Sequence, residues 1–131
     1  MIRVKIVPKD SNKVAKVIII NDDNHVLMLK RSDYMDKFAG EWDLPGGHIQ
    51  VGEEFETGMK REVKEETGLT IEDCTFVGKI DNLDFYYCQY PEKPIKLSHE
   101  HTAFRFFSKN NLDSSGKFEK MALKALEMKN D

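Results

Sequence analysis

The longest uninterrupted apolar runs in the chain are four residues, Val17 to Ile20 among them, far too short to cross a bilayer and suited to a buried strand. Val17 to Ile20 ends a β-rich segment, Lys13 to Ile20. A second such segment, His25 to Leu29, follows the polar turn Asn21-Asp22-Asp23-Asn24, and the two predict a hairpin. Ser32 to Glu41 is polar and contains glycine, so it reads as a loop. Trp42 to Gly47 reads as a short strand running into Pro-Gly-Gly, with Ile49 to Val51 continuing extended. The clearest helix spans Glu54 to Thr67, with Gly68 placed where a left-handed C-terminal cap belongs. Leu69 to Ile80 and Leu83 to Tyr90 read as paired strands about Asp81-Asn82. Pro91 to His99 is a loop and Thr102 to Phe107 a further strand. From Lys117 to Met128, the residues Phe118, Met121, Ala122, Ala125 and Leu126 recur at helical spacing. These elements predict an α/β fold with a mixed β-sheet flanked by helices, in a single domain over residues 1–131.

The helix carries a conflict. On a wheel starting at Phe55, Met59 and Val63 fall at about 40 and 80 degrees, forming one apolar stripe. Glu62 and Glu66 fall at about −20 and 20 degrees, beside that stripe, and Glu65 at about −80 degrees. Lys60, Lys64 and Thr57 point the other way. Carboxylates spaced i, i+3 and i+4 repel one another on a helix, and burying them without partners costs several kcal/mol each. Arg61 is one nearby cation against three anions. A divalent metal resolves the conflict, and all-oxygen ligands favour Mg²⁺ or Mn²⁺ over zinc. The plain alternative is an acidic amphipathic helix whose glutamates reach water. Pro45-Gly46-Gly47, just upstream, permits positive φ and close approach of backbone to a metal or phosphate. Gly58, inside the helix, costs about 1 kcal/mol relative to alanine, so close packing is expected to require it.

Composition narrows the classes. Hydrophobic residues are 40% and charged residues 33% of the 131, the mark of a soluble globular chain. The net charge of −3 supplies no basic field for nucleic acid. Met1-Ile2-Arg3-Val4-Lys5 lacks the apolar core of a signal peptide. Cys74 and Cys88 are too few for a disulfide framework or a four-ligand zinc site, and read as free thiols in a reducing cytosol. The expectation is therefore a cytoplasmic protein with no membrane segment and no stable nucleic-acid binding.

Taken together, these residues resemble the Nudix hydrolase signature, G-x5-E-x7-R-E-U-x-E-E-x-G-U with U bulky and apolar. Here it begins at Gly47, passes Glu53 and Arg61-Glu62-Val63, and closes with Glu65-Glu66-Thr67-Gly68-Leu69, every fixed position satisfied. Trp42-Asp43-Leu44-Pro45-Gly46 also looks like the family's approach to that motif. The resemblance implies a Nudix-type α/β/α sandwich. It implies Mg²⁺-dependent hydrolysis, by metal-activated water, of a diphosphate linkage in a nucleoside diphosphate linked to another moiety. Carried onto this chain, Glu62, Glu65 and Glu66 would bind metal, with the Gly46 carbonyl a further candidate ligand. Arg61 would orient Glu62 by a charge-assisted hydrogen bond. Glu53 would stabilise the loop-helix-loop or contact water at the metal, and Glu100 is the candidate acidic residue from a later loop. The general base stays open among Glu62, Glu53 and Glu100. Many relatives dimerise, which leaves a homodimer open.

Fewer residues bear on the substrate. Tyr86 and Tyr87 usually would be core aromatics, yet some dinucleoside-polyphosphate hydrolases of the family carry a tyrosine at about this distance past the motif. With Trp42 they are the candidate substrate-binding residues. Arg31, Lys37 and Lys79 are candidate phosphate contacts. His99 and His101 flank Glu100 in an extended segment and so point away from it, poor geometry for a shared transition metal. Nucleotide sugars, ADP-ribose, dinucleoside polyphosphates and nucleoside triphosphates all remain open. A non-catalytic nucleotide or ADP-ribose binding module on the same fold is the alternative, since fold does not fix function. Such a module would be expected to have lost an acidic residue.

Overall fold

A computed structural model describes residues 10–35 and 37–131. The reading of Met1 to Lys5 lies outside the described residues. Strands β1 (Asp10–Ile20), β2 (Val26–Arg31), β3 (Trp42–Asp43) and β4 (Gly46–Gln50) precede helix α1 (Phe55–Thr67). Strands β5 (Thr75–Ile80), β6 (Leu83–Gln89) and β7 (His101–Phe107) then lead to helix α2 (Lys117–Lys129).

The apolar run Val17 to Ile20 explains why β1 is central. All four residues are completely buried, as expected of a strand covered on both faces. Side chains alternate between two cores. Ile18 and Ile20 pack with Val26, Met28 and Phe85 against Met121, Ala122, Ala125 and Leu126 of α2. Val17 and Ile19 pack with Leu27, Leu29 and Cys88 against Met59 and Val63 of α1. The result is the expected α/β/α sandwich. Its sheet is mixed: β1 pairs parallel with β6 and antiparallel with β4. β2 pairs antiparallel with β3 and β7, and β5 with β6.

Three elements differ from the sequence expectation. The β1–β2 hairpin pairs only at its closed end, Ile20 with Val26. Beyond that point β1 is taken by β4 and β6, and β2 by β3 and β7. The extended stretch at Trp42 to Gly47 is split, because β3 belongs to β2 (Leu29 opposite Asp43) and β4 to β1 (Lys16 opposite Gly46). The strand expected from Leu69 begins only at Thr75. Leu69 and Ile71 are instead buried in the α1-side core as part of a connection, which is why the segment is apolar without being paired.

Helix α1 meets its expectation closely. It ends at Gly68 in the left-handed conformation (φ 75°), whose N–H bonds the Lys64 carbonyl at 2.9 Å. Gly58 is fully packed: a Cβ there would lie 2.5 Å from Glu53 Oε1 and 2.9 Å from Ile49 Cδ1. Alanine favours a helix by about 1 kcal/mol over glycine. Here overpacking, worth about 1–3 kcal/mol, opposes that gain. Gly58→Ala is expected to lower the urea midpoint; a higher midpoint would show that propensity outweighs the contact.

Candidate active site

The site is built where α1 lies against β4. Glu62 lies against Gly47 of that strand, where a Cβ would come within 2.5 Å of Glu62 Oε2 and would require the carboxylate to shift. Glu66, one turn on, is only 5% exposed. Its Oε1 accepts the Gly46 N–H at 3.1 Å. Gly46 adopts φ 131°, and a Cβ there would strike the Ala15 carbonyl oxygen, so the chain can turn this amide toward Glu66 only with glycine.

Arg61 is the hub of the acidic cluster. Its Nε donates to Glu53 Oε2 at 2.7 Å and its Nη2 to Glu53 Oε1 at 3.1 Å, a bidentate pair. Its Nη1 reaches Glu62 Oε1 and Glu65 Oε1, each at 3.0 Å. Nη2 also donates to the His48 carbonyl at 3.2 Å, tying α1 to β4. Glu53 Oε1 accepts the Gln50 N–H as well, at 3.0 Å.

A second group stands behind the first. Asp43 is buried and receives Lys16 Nζ at 3.1 Å, Arg31 Nη1 at 3.5 Å and the Leu44 N–H at 2.8 Å. His101, with a side chain 2% exposed, lies between the groups. Its Nδ1 is 3.8 Å from Glu66 Oε2 and its Nε2 4.0 Å from Asp43 Oδ2. The loop from Pro91 brings it there. Lys96 N–H bonds the Thr67 carbonyl at 2.8 Å and Ser98 N–H the Glu66 carbonyl at 3.2 Å, so the loop is strapped to the end of α1 just before β7. Glu100 arrives by the same strap, close enough for its charge to act on Glu62.

The charges are unequal. Burial pushes the Glu66 carboxyl up from 4.5 to about 8, with Asp43 and Glu62 adding repulsion against Lys16 and the Gly46 amide. Burial also raises Glu62, against the pull of Arg61. Burial alone would raise Asp43, but Lys16 and His101 outweigh it and hold this carboxyl below its ordinary value. Beside Asp43 opens a cavity of about 440 Å³, whose lining also includes Lys16, Arg31, Trp42, His48 and Phe118 but none of the motif's glutamates.

The family model described as the NUDIX domain matches residues 11–124. The chain belongs to the Nudix family of hydrolases. A MutT-like protein of Streptomyces ambofaciens is 39% identical over 75 residues, 57% of this chain and 45% of that protein. An ADP-ribose pyrophosphatase of Methanocaldococcus jannaschii is 47% identical over 51 residues, 39% of this chain and 29% of that protein. The chain thus spans less than half the length of these curated relatives. Among solved structures, the MutT protein of Methanosarcina mazei Go1 has TM-score 0.72 at 26% identity, covering 94% of this chain and 97% of that one. An ADP-ribose pyrophosphatase of Streptococcus suis has TM-score 0.74 at 24% identity, covering 90% and 91%.

Within the Nudix motif, Glu53, Arg61, Glu62 and Glu65 are brought into direct contact, with Glu66 held by Gly46. Among the described residues, no three His, Cys, Asp or Glu side chains converge tightly enough to enclose an ion. Arg61 Nη1 holds Glu62 and Glu65, while Glu66 accepts the Gly46 N–H and faces His101. The donor chemistry still fits a hard divalent cation: oxygen ligands, more negative charge than one guanidinium balances, and two carboxyls raised by burial.

Of the aromatic candidates, Trp42 lines the cavity. Tyr86 and Tyr87 do not. Tyr86 packs between Phe55 and Phe76, at centroid distances of 5.7 and 5.3 Å, and Tyr87 packs against the α2-side core. Their strand β6 presents Leu83, four residues earlier than Tyr87, at the cavity. Arg31 and Lys37 line it, whereas Lys79 is absent from its walls. Sequence reasoning passed over Lys16 and Asp43; the available signal was a lone charge set among buried apolar neighbours in each strand.

The raised Glu66 carboxyl fixes the sign of a pH effect. The folded state holds that proton more tightly than the unfolded chain, so its stabilising contribution is complete below about pH 4.5 and lost as pH rises toward 8. At about 1.4 kcal/mol per pKa unit this amounts to a few kcal/mol. In EDTA, wild-type stability by urea denaturation is expected to fall between pH 5 and 8, and Glu66→Gln to flatten that fall. Parallel profiles for the two proteins would contradict the assignment.

Proposed function

We propose that the protein is a Mg²⁺-dependent pyrophosphohydrolase that splits the diphosphate linkage of a nucleoside diphosphate joined to another group. The observation that carries this reading is an under-neutralised acidic cluster linked, through His48 and through Asp43 and His101, to a cavity lined by both aromatic and cationic side chains. Glu62, Glu65 and Glu66 are the residues that would hold Mg²⁺, or Mn²⁺ in its place, with the Gly46 carbonyl as a further ligand. Bound there, the cation would offset the charge of the diphosphate and make water a stronger nucleophile.

The chain's own groups do the rest. Arg61 fixes Glu62 and Glu65 through Nη1, and Glu53 braces Arg61 from the other side. That brace commits Glu53, whose two oxygens are occupied by Arg61 and the Gln50 amide, to a holding role. Glu62 and Glu100 remain to accept a proton from attacking water, and burial already favours the protonated form of Glu62. Lys37, with Lys16 and Arg31 where their pairing with Asp43 leaves charge over, would offer positive charge to phosphate oxygens along the cavity, and Trp42 would offer an aromatic ring to a base. Positioning and charge stabilisation supply most of the acceleration in such a transfer.

The names of relatives support the reaction class and spread over substrates. They include an ADP-ribose pyrophosphatase, a nucleoside triphosphatase of Salmonella agona and a putative 8-oxo-dGTP diphosphatase of Bacillus subtilis. A panel of ADP-ribose, nucleotide sugars, dinucleoside polyphosphates and nucleoside triphosphates, assayed with Mg²⁺ and followed by product identification, is expected to give turnover of at least one class. Glu65→Gln and Glu66→Gln are each expected to lower that turnover by on the order of 100-fold or more, with the circular dichroism melt still cooperative. Unchanged rates in either variant would count against the reading. Nucleotide binding without turnover in the wild type would favour the non-catalytic module.

A further inference from the structure

His101 is the one side chain between the two carboxylate groups that nothing so far employs. Both of its ring nitrogens are buried and make no hydrogen bond among the described residues. Leaving a buried donor unpaired is unfavourable, so an imidazole kept in this position calls for a reason. Its surroundings supply one. Asp43, facing Nε2, is held from three sides by Lys16, Arg31 and the Leu44 amide, and cannot readily follow the ring. Glu66, facing Nδ1, has one oxygen fixed by Gly46 and the other, Oε2, 3.8 Å from His101.

The backbone is arranged to put the ring there. Along β7, Lys30 faces Ala103 but Arg31 faces His101, so Thr102 is an extra residue and the ladder is irregular at that step. Such irregularities re-aim the neighbouring side chain. The strap at Lys96 and Ser98 joins the same segment to Thr67 and Glu66 on α1, so His101 and Glu66 are carried by one hydrogen-bonded unit.

We propose that His101 is a positioning residue for Glu66: its Nδ1 side backs Glu66 Oε2 and its Nε2 side is anchored by Asp43, so that the Glu66 carboxyl is held at one orientation. This rests on the proposed role of Glu66 as a metal ligand. The imidazole transmits the rigidity of the Lys16–Asp43 pair to a ligand that sits on a different element. A residue backing a ligand in this way is worth about 10–100-fold in metal affinity.

The two nitrogens can be tested apart, because an asparagine amide nitrogen stands near the Nδ1 position and a glutamine amide nitrogen nearer Nε2. Mn²⁺ alone, titrated into the full chain and followed by electron paramagnetic resonance of the free ion, reads affinity without turnover. His101→Asn is expected to bind within about 3-fold of wild type, and His101→Gln about 10-fold or more weakly. Equal affinity in the two variants, at wild-type level or below it, overturns the proposal. A wild type that does not bind Mn²⁺ overturns the metal-site reading beneath it. Without any variant, ¹⁵N-histidine labelling of the wild type is expected to show the His101 Nδ1 resonance moving on Mg²⁺ addition by more than Nε2. An unmoved Nδ1 signal in a protein that binds Mg²⁺ also overturns the proposal.

Discussion

Everything at this site depends on negative charge placed where water cannot screen it. Glu66 is almost wholly enclosed, Glu62 is partly buried, and among the described residues the guanidinium in contact with the motif's glutamates, Arg61, is divided among Glu53, Glu62 and Glu65. An arrangement of this kind is unfavourable for a fold standing alone. Entry of a cation of higher charge, as proposed, would offset that cost, which would make the affinity for the cation a property of the folding energetics.

The fold supplies the enclosure. β1 is covered on both faces, and its two flanking partners differ in direction, β4 antiparallel and β6 parallel. The pairing with β4 sets Gly46 opposite Lys16 and thereby aims one backbone amide at Glu66 and one lysine at Asp43. Helix α1 closes over β4 through Met59 and Val63, and that same apolar stripe decides how deeply the adjacent glutamates sit. Core packing and charge placement are therefore set by one helix phase. A one-residue slip would expose Val63 and Glu66 together.

Helix α1 and its carboxylates were legible in the sequence because their spacing is local. The 3.6-residue period alone puts Glu62 and Glu66 beside Met59 and Val63, and Gly68 alone marks the end. Gly58 was legible as a packing requirement, and Glu53 contacts it as well as Arg61. Lys16, Asp43 and His101 were not legible in this way. They stand 27 or more residues apart and meet only through the β1–β4 and β2–β7 ladders and the strap at Lys96 and Ser98. The β1–β2 hairpin was over-read for a related reason: a polar turn shows that two strands meet, and says nothing of which neighbours compete for the rest of their length. Leu69 and Ile71 were over-read as strand because apolar side chains can fill a core from an unpaired connection.

The central claim is that the motif's glutamates share a divalent cation, and anomalous diffraction from a crystal soaked in Mn²⁺ tests it most directly. The account predicts one or more peaks at coordination distance, about 2.0–2.3 Å, from carboxylate oxygens of Glu62, Glu65 and Glu66, with Arg61 still bonded to Glu53. A map with no peak at these oxygens, at a Mn²⁺ concentration that supports turnover, would contradict it.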